Sequence, residues 1–252
     1  MSTVGHSRPD ARATTDGDGA GRAAETAARR ERLLGAAAAL AAAGGYEAVH
    51  MRAVARHAQV ALGTLYRHYS SKDQLLVAVL ADQADTLAST LHRRPPRGDT
   101  PAERVANVLD RAMSALAREP RLAAAMVTAL SSTDPEAATA VSAVESRQRS
   151  MLADAIGPDV GRSDVGRSDV GRSDAARSDV GRAGTEQLAA TGPGSSDDLD
   201  EVLRTLGHVW FSVMIAWVAG KLDRAGVRHD LNVAARLLLP SHHPAVSGRP
   251  AG

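Results

Sequence analysis

Residues 44–80 read GGYEAVHMRAVARHAQVALGTLYRHYSSKDQLLVAVL and carry more structural information than any other stretch of the chain. Gly44-Gly45 halts a run of strong helix formers that extends from Arg22 to Ala43. Met51, Val54 and Ala55 then recur at the spacing of a short amphipathic helix. Gln59-Val60 supplies a tight turn, and Ala61 to Tyr69 a second short helix. Ser71-Lys72-Asp73-Gln74 is a capping box that opens the next helix. Two short helices across a small turn make a helix-turn-helix, here between about Met51 and Tyr69. The second helix of such a pair fits the major groove of DNA.

The side chains of that second helix suit the task. Thr64 offers a hydroxyl and a methyl group, Tyr66 a phenol, and Arg67 and His68 hydrogen-bond donors. Leu62 and Gly63, at the helix start, complete the candidate set. Arg52 opens the first motif helix and has the reach to grip a guanine edge with two bonds. Lys72 stands at the next helix start, where backbone N–H groups also attract phosphate. Arg52 and Lys72 would elsewhere be ordinary solvated charges; their place in this motif favours DNA. Between Arg22 and Leu80 the excess of Arg and Lys over Asp and Glu is +4, against +1 for the whole chain. Attraction to nucleic acid is therefore expected to be local.

These stretches, Gly44-Gly45-Tyr46-Glu47-Ala48, Met51-Arg52-Ala53-Val54-Ala55 and Gly63 through Lys72, resemble the TetR family of bacterial regulators. Within it the chain is similar to the KstR group of sterol-catabolism repressors. That likeness extends to Arg111-Ala112-Met113, Ala125-Met126, Val209-Trp210, Ala216-Trp217, Asp230-Leu231 and Leu237-Leu238. Two positions depart from the family pattern without removing a DNA contact: His50 replaces a small hydroxyl cap, and Gln59 replaces a turn glycine. The resemblance implies a repressor that dimerises through its last two helices and reads a palindromic operator in double-stranded DNA.

Outward from the motif, residues 1–21 are Gly-, Asp- and Ser/Thr-rich and read as a disordered tail. Thr100-Pro101-Ala102-Glu103 combines an N-cap, a first-turn proline and a capping glutamate. Further helices begin at Pro120 and Pro135, a long one runs from Asp197 to about Gly220, and a short one from Asp230 to Leu239. Nowhere do β-branched and aromatic residues alternate with polar ones, so the fold class is all-α. The expected organisation is a three-helix DNA-binding domain at 22–71 and a larger helical ligand-binding and dimerisation domain at 72–240. A tail follows at 241–252.

Within the second domain, residues 157–196 read as a disordered insert. Val160-Gly-Arg-Ser-Asp recurs at Val165 and Val170, then imperfectly from Ala175 and Val180. So few copies complete only about one coil of a pentapeptide solenoid. An Arg in every copy argues against calcium. Duplication of a short coding stretch explains the pattern more simply.

The 252 residues suffice for one or two domains. No cysteine is present, which excludes disulfides, Cys-based zinc sites and a thiol nucleophile. There is no His-Glu-x-x-His, Gly-x-Ser-x-Gly or phosphate loop, so an enzyme is not expected, nor a catalytic residue, cofactor or metal site. The N-terminus lacks an apolar secretory core, so the expected location is the cytoplasm. Val209 to Ala219 is too short to span a bilayer, and no membrane partner is expected.

Both tryptophans and the only phenylalanine fall between Trp210 and Trp217. Leu199, Val202, Leu206, Val209, Val213 and Trp217 form one helical stripe; Phe211, Ile215, Val218 and Leu222 form another. One face can line a domain interior while the other meets a second subunit, giving a homodimer. Met113, Met126, Met151, Trp210, Met214 and Trp217 are candidates to contact a small hydrophobic effector, although such residues more often simply pack. The group resemblance implies a sterol-derived or long-chain acyl-CoA. The alternative is an efflux-type repressor that senses assorted lipophilic compounds.

Overall fold

A computed structural model describes residues 15–157 and 196–239, and every regular element among them is helical. In chain order these are α1 (Thr15–Gly44), a 3-10 turn at Tyr46–Ala48, α2 (Met51–His57), α3 (Leu62–His68), α4 (Lys72–Arg93), α5 (Pro101–Leu116), α6 (Pro120–Leu130), α7 (Pro135–Ile156), α8 (Ser196–Val218) and α9 (Arg224–Leu238). The all-α expectation and the position of the helix-turn-helix both hold.

The starts and stops have local causes. Gly44 is forced by space, since a Cβ there would lie 2.6 Å from that of Ala48. Gly45 is needed for its left-handed backbone, φ 71°. Gln59 takes the same region, φ 53°, where a glycine would be unstrained. At α5 the capping box is complete. The Thr100 hydroxyl accepts from the Glu103 N–H at 3.2 Å, and the Glu103 carboxylate accepts from the N–H groups of Thr100 (3.2 Å) and Asp99 (2.8 Å). Those two backbone donors hold the Glu103 carboxyl below its ordinary pKa. The box at α4 is displaced by one residue. Ser71 accepts from the Gln74 N–H at 3.1 Å, but the Gln74 side chain reaches the Ser70 N–H at 2.7 Å.

Two helices are longer than their sequence signals. α1 begins at Thr15, not Arg22, so residues 15–21 are helical where a tail was expected. Extending a helix costs far less than nucleating one, and its first turns need no burial. α9 begins at Arg224, not Asp230, because Asp223 caps it by accepting from the Gly226 N–H at 2.8 Å. Leu222 consequently falls in the turn after α8. Residues 1–14, the Val-Gly-Arg-Ser-Asp repeats and the tail at 241–252 lie outside the described residues.

The chain divides into two compact units, but not at residue 72 as the motif suggests. The first comprises residues up to Gln83 together with Leu116–Val144. The second comprises Ala84–Ala115 and the residues from Glu145 onward. The first half of α4 stays with the helix-turn-helix because Leu75, Leu76, Val77 and Val79 are buried in the same core as Leu33, Val54 and Leu65. α6 joins that core through Leu122, Ala125, Met126 and Ala129. In the second unit Arg104 of α5 donates to the last carbonyls of α7, Ala155 (2.8 Å) and Ile156 (2.7 Å). Ion pairs join Arg147 to Asp85 at 2.8 Å and Arg228 to Asp110 at 2.9 Å, and α8 packs on α9.

Candidate nucleic-acid interface and effector-side residues

α3 has one anchor in the core, Leu65, whose side chain is fully buried. Its neighbours are thereby turned out: Gly63, Arg67 and His68 are exposed, and Tyr66 is 50% exposed. Thr64 is half-buried, and its hydroxyl accepts from Arg67 Nη2 at 3.0 Å, which braces the guanidinium along the helix. Arg52, the second residue of α2, is exposed, and Lys72 opens α4. Arg52, Tyr66 and Lys72 line one shallow concavity with Val49, His50, Met51, Ser70 and Ser71. Leu62 differs from the rest: it is half-buried and packs on the core.

Gly63 is not required by the fold. Its φ is not left-handed, and a Cβ built there meets no heavy atom within 4 Å. A glycine in that position weakens the helix by about 0.5–1 kcal/mol relative to alanine.

Lys72 is held from below. Its ammonium sits 3.7 Å from the centroid of the Tyr46 ring and 3.9 Å from Glu47. The Tyr46 hydroxyl donates to Asp73 at 2.5 Å. Burial and this carboxylate push the Tyr46 pKa up to about 12. A phenol raised in this way stabilises the fold fully below pH 10, and the contribution disappears as pH rises through about 12. The urea midpoint is therefore expected to fall between those pH values by more in the parent protein than in Tyr46→Phe.

The effector candidates divide between the units. Met113, Met151, Trp210, Met214 and Trp217 belong to the second; Met113 and Met214 are buried there, the others half-buried. Met126 does not join them. It is 1% exposed in the core of the first unit, with α1 and the helix-turn-helix, so it is core filler there. Sequence reasoning overlooked Gln148 on α7. It occupies the stripe of Val144, Leu152 and Ala155, and its buried Nε2 has no hydrogen-bond partner among the described residues. The signal was available as one amide in an otherwise apolar stripe. Among the described residues no group of three or more His, Asp or Glu is placed to hold a metal, and no helix is long and apolar enough to cross a membrane.

A helix-turn-helix that turns Arg52, Tyr66 and Arg67 outward from a helical core, with Lys72 at the next helix start, has the make-up of a DNA-binding regulator. Residues 33–79 match the bacterial regulatory proteins of the tetR family, and residues 98–167 match the tetracyclin repressor-like C-terminal domain. The chain is 33% identical over 211 residues to the HTH-type transcriptional repressor KstR of Mycobacterium tuberculosis, covering 84% of this chain and 80% of that one. Against KstR of Rhodococcus jostii the identity is also 33%, covering 84% and 82%. The chain belongs to the TetR family and is a TetR-type transcriptional repressor similar to KstR. Among solved structures, a TetR transcriptional regulator from Rhodococcus sp. RHA1 aligns with TM-score 0.68 and 28% identity over 87% of this chain and all of that one. Thermus thermophilus FadR in complex with lauroyl-CoA has the same fold, with TM-score 0.60 and 22% identity over 88% of this chain and 100% of that one.

Proposed function

We propose that this protein works in the cytoplasm as a homodimer on a palindromic operator. There it represses lipid or sterol catabolism genes and lets go when a hydrophobic ligand, a sterol-derived or long-chain acyl-CoA, binds its second unit. The observation that carries the DNA half is the shared concavity of Arg52, Tyr66 and Lys72 beside the exposed face of α3. Arg52 and Arg67 read base edges, Thr64, Tyr66 and His68 supplement them, and Lys72 meets a phosphate. Gly63 admits the DNA backbone where the fold itself leaves room for a side chain.

Two substitutions test this reading by mobility-shift titration. Arg52→Ala is expected to cost about 1–3 kcal/mol of operator binding and to relax sequence preference. Gly63→Ala is expected to raise the unfolding free energy by about 0.5–1 kcal/mol while weakening operator binding. A pair of variants that binds the operator like the parent would sink the assignment.

Three observations support the effector half. The similarity to KstR repressors reaches both units. FadR proteins of the same fold are known with lauroyl-CoA and stearoyl-CoA. Gln148 adds a polar requirement: its buried amide N–H calls for an acceptor such as a thioester or ketone oxygen. α4 contributes residues to both units, and its rotation is the lever by which binding changes the spacing of paired α3 helices.

A further inference from the structure

The residues on either side of Lys72 are bound to a turn some sixty positions away in sequence. The Asp73 carboxylate, which takes the Tyr46 hydroxyl on one oxygen, takes the Ser132 hydroxyl on the other at 2.7 Å. Ser71 donates its hydroxyl to Asp134 at 2.5 Å. The Asp134 N–H in turn donates to the Ser132 hydroxyl at 3.2 Å, so the turn between α6 and α7 is itself tied. Lys72 thus lies between two anchored neighbours, with its ammonium over the ring whose hydroxyl Asp73 holds. All of these residues belong to the first unit.

We infer that Tyr46, Asp73, Ser132 and Asp134 are positioning residues for Lys72: they set where its ammonium meets the DNA backbone, and so tune operator affinity from outside the helix-turn-helix. The inference rests on the reading of Lys72 as a phosphate contact. A lysine has a flexible four-carbon stem, so its charge samples a wide volume unless something holds it. The face of an aromatic ring attracts a cation, and a phenol that donates to a carboxylate gains electron density, which strengthens the attraction. Asp73 is already engaged by two hydroxyls and therefore competes less for the ammonium. Glu47 is a weak rival, because its side chain is 88% exposed and a phosphate can displace it. Since a phosphate contact carries no sequence information, the cluster governs affinity for all DNA alike.

Mobility-shift titrations over a range of salt, on the full chain, test this. Lys72→Ala first checks the underlying reading, with a salt slope shallower by about one unit expected. Tyr46→Leu should weaken operator and random DNA equally, by about 2–5-fold, as for a lost surface cation–π contact. Tyr46→Phe, which keeps the ring, should fall between Tyr46→Leu and the parent. Ser132→Ala, a small change outside any core, should weaken binding in the same sense and guards against misfolding of Tyr46→Leu. In a Lys72→Ala background none of these three changes should add a further loss. An unchanged salt slope in Lys72→Ala overturns the phosphate reading itself. A changed slope there, with parental affinity in Ser132→Ala and in folded Tyr46→Leu, overturns the positioning role alone. Fully additive losses in the Lys72→Ala background overturn it as well.

Discussion

Ile215→Asp is expected to convert a dimer into a monomer and to lower operator affinity by about 10²–10⁴-fold, the advantage of engaging two half-sites together. Ile215 is 43% exposed and Val218 36% exposed on α8, while Leu237 is 75% exposed on α9. Phe211, Trp210 and Trp217 on α8 are half-buried, so an apolar surface remains beyond what α8 covers against α9. Ile215 and Val218, three apart on α8, share one helix face, and exposed apolar groups so placed mark an interface more than a solvated face. A two-fold pairing would bring each residue near its own counterpart, so an aspartate is buried twice against apolar surroundings. Sedimentation equilibrium reads the mass and a mobility shift the affinity. A mutant that stays dimeric and binds normally would place the interface elsewhere.

The parts of this fold that were legible in advance are those with local causes. Helix starts at Thr100-Pro101 and Ser71 announce themselves through caps, and the Gly44-Gly45 stop through backbone and space. The exposure of Tyr66, Arg67 and His68 was equally legible, because a motif with one buried anchor, Leu65, dictates which neighbours turn outward. What stayed hidden depends on contacts between distant segments. Met126 reads as a soft pocket residue, and only the packing of α6 on α1 makes it part of the first core. The unit boundary inside α4 follows from the same packing. Ser132 and Asp134 look like loop formers until their hydrogen bonds to Asp73 and Ser71 are seen. Asp223 shows the opposite failure. Its cap is local, yet Gly226 within the first turn masks the helix it begins.

Gln148→Leu is expected to separate the effector's polar recognition from its apolar binding. Among the described residues the buried Nε2 has no acceptor, and such a group costs about 1–3 kcal/mol. Leucine removes that cost, so the unliganded variant should unfold at a higher urea concentration than the parent. A ligand that offers an oxygen to the amide recovers the same free energy only in the parent, which is how one residue confers selectivity. Palmitoyl-CoA and sterol-derived CoA thioesters should therefore release the parent from its operator, with a coupling of about 1–3 kcal/mol, or 5–150-fold in affinity. Because coupling is reciprocal, operator DNA should weaken thioester binding by the same factor. In Gln148→Leu, thioesters and free sterols should drive release at concentrations closer to each other, since only burial of apolar surface remains to distinguish them. Operator release is followed by fluorescence anisotropy and ligand binding by calorimetry. Release of the parent by cationic dyes but by no thioester or sterol would replace the lipid reading with an efflux sensor. Release by thioesters with the same selectivity in both proteins would keep the lipid reading and remove Gln148 from it.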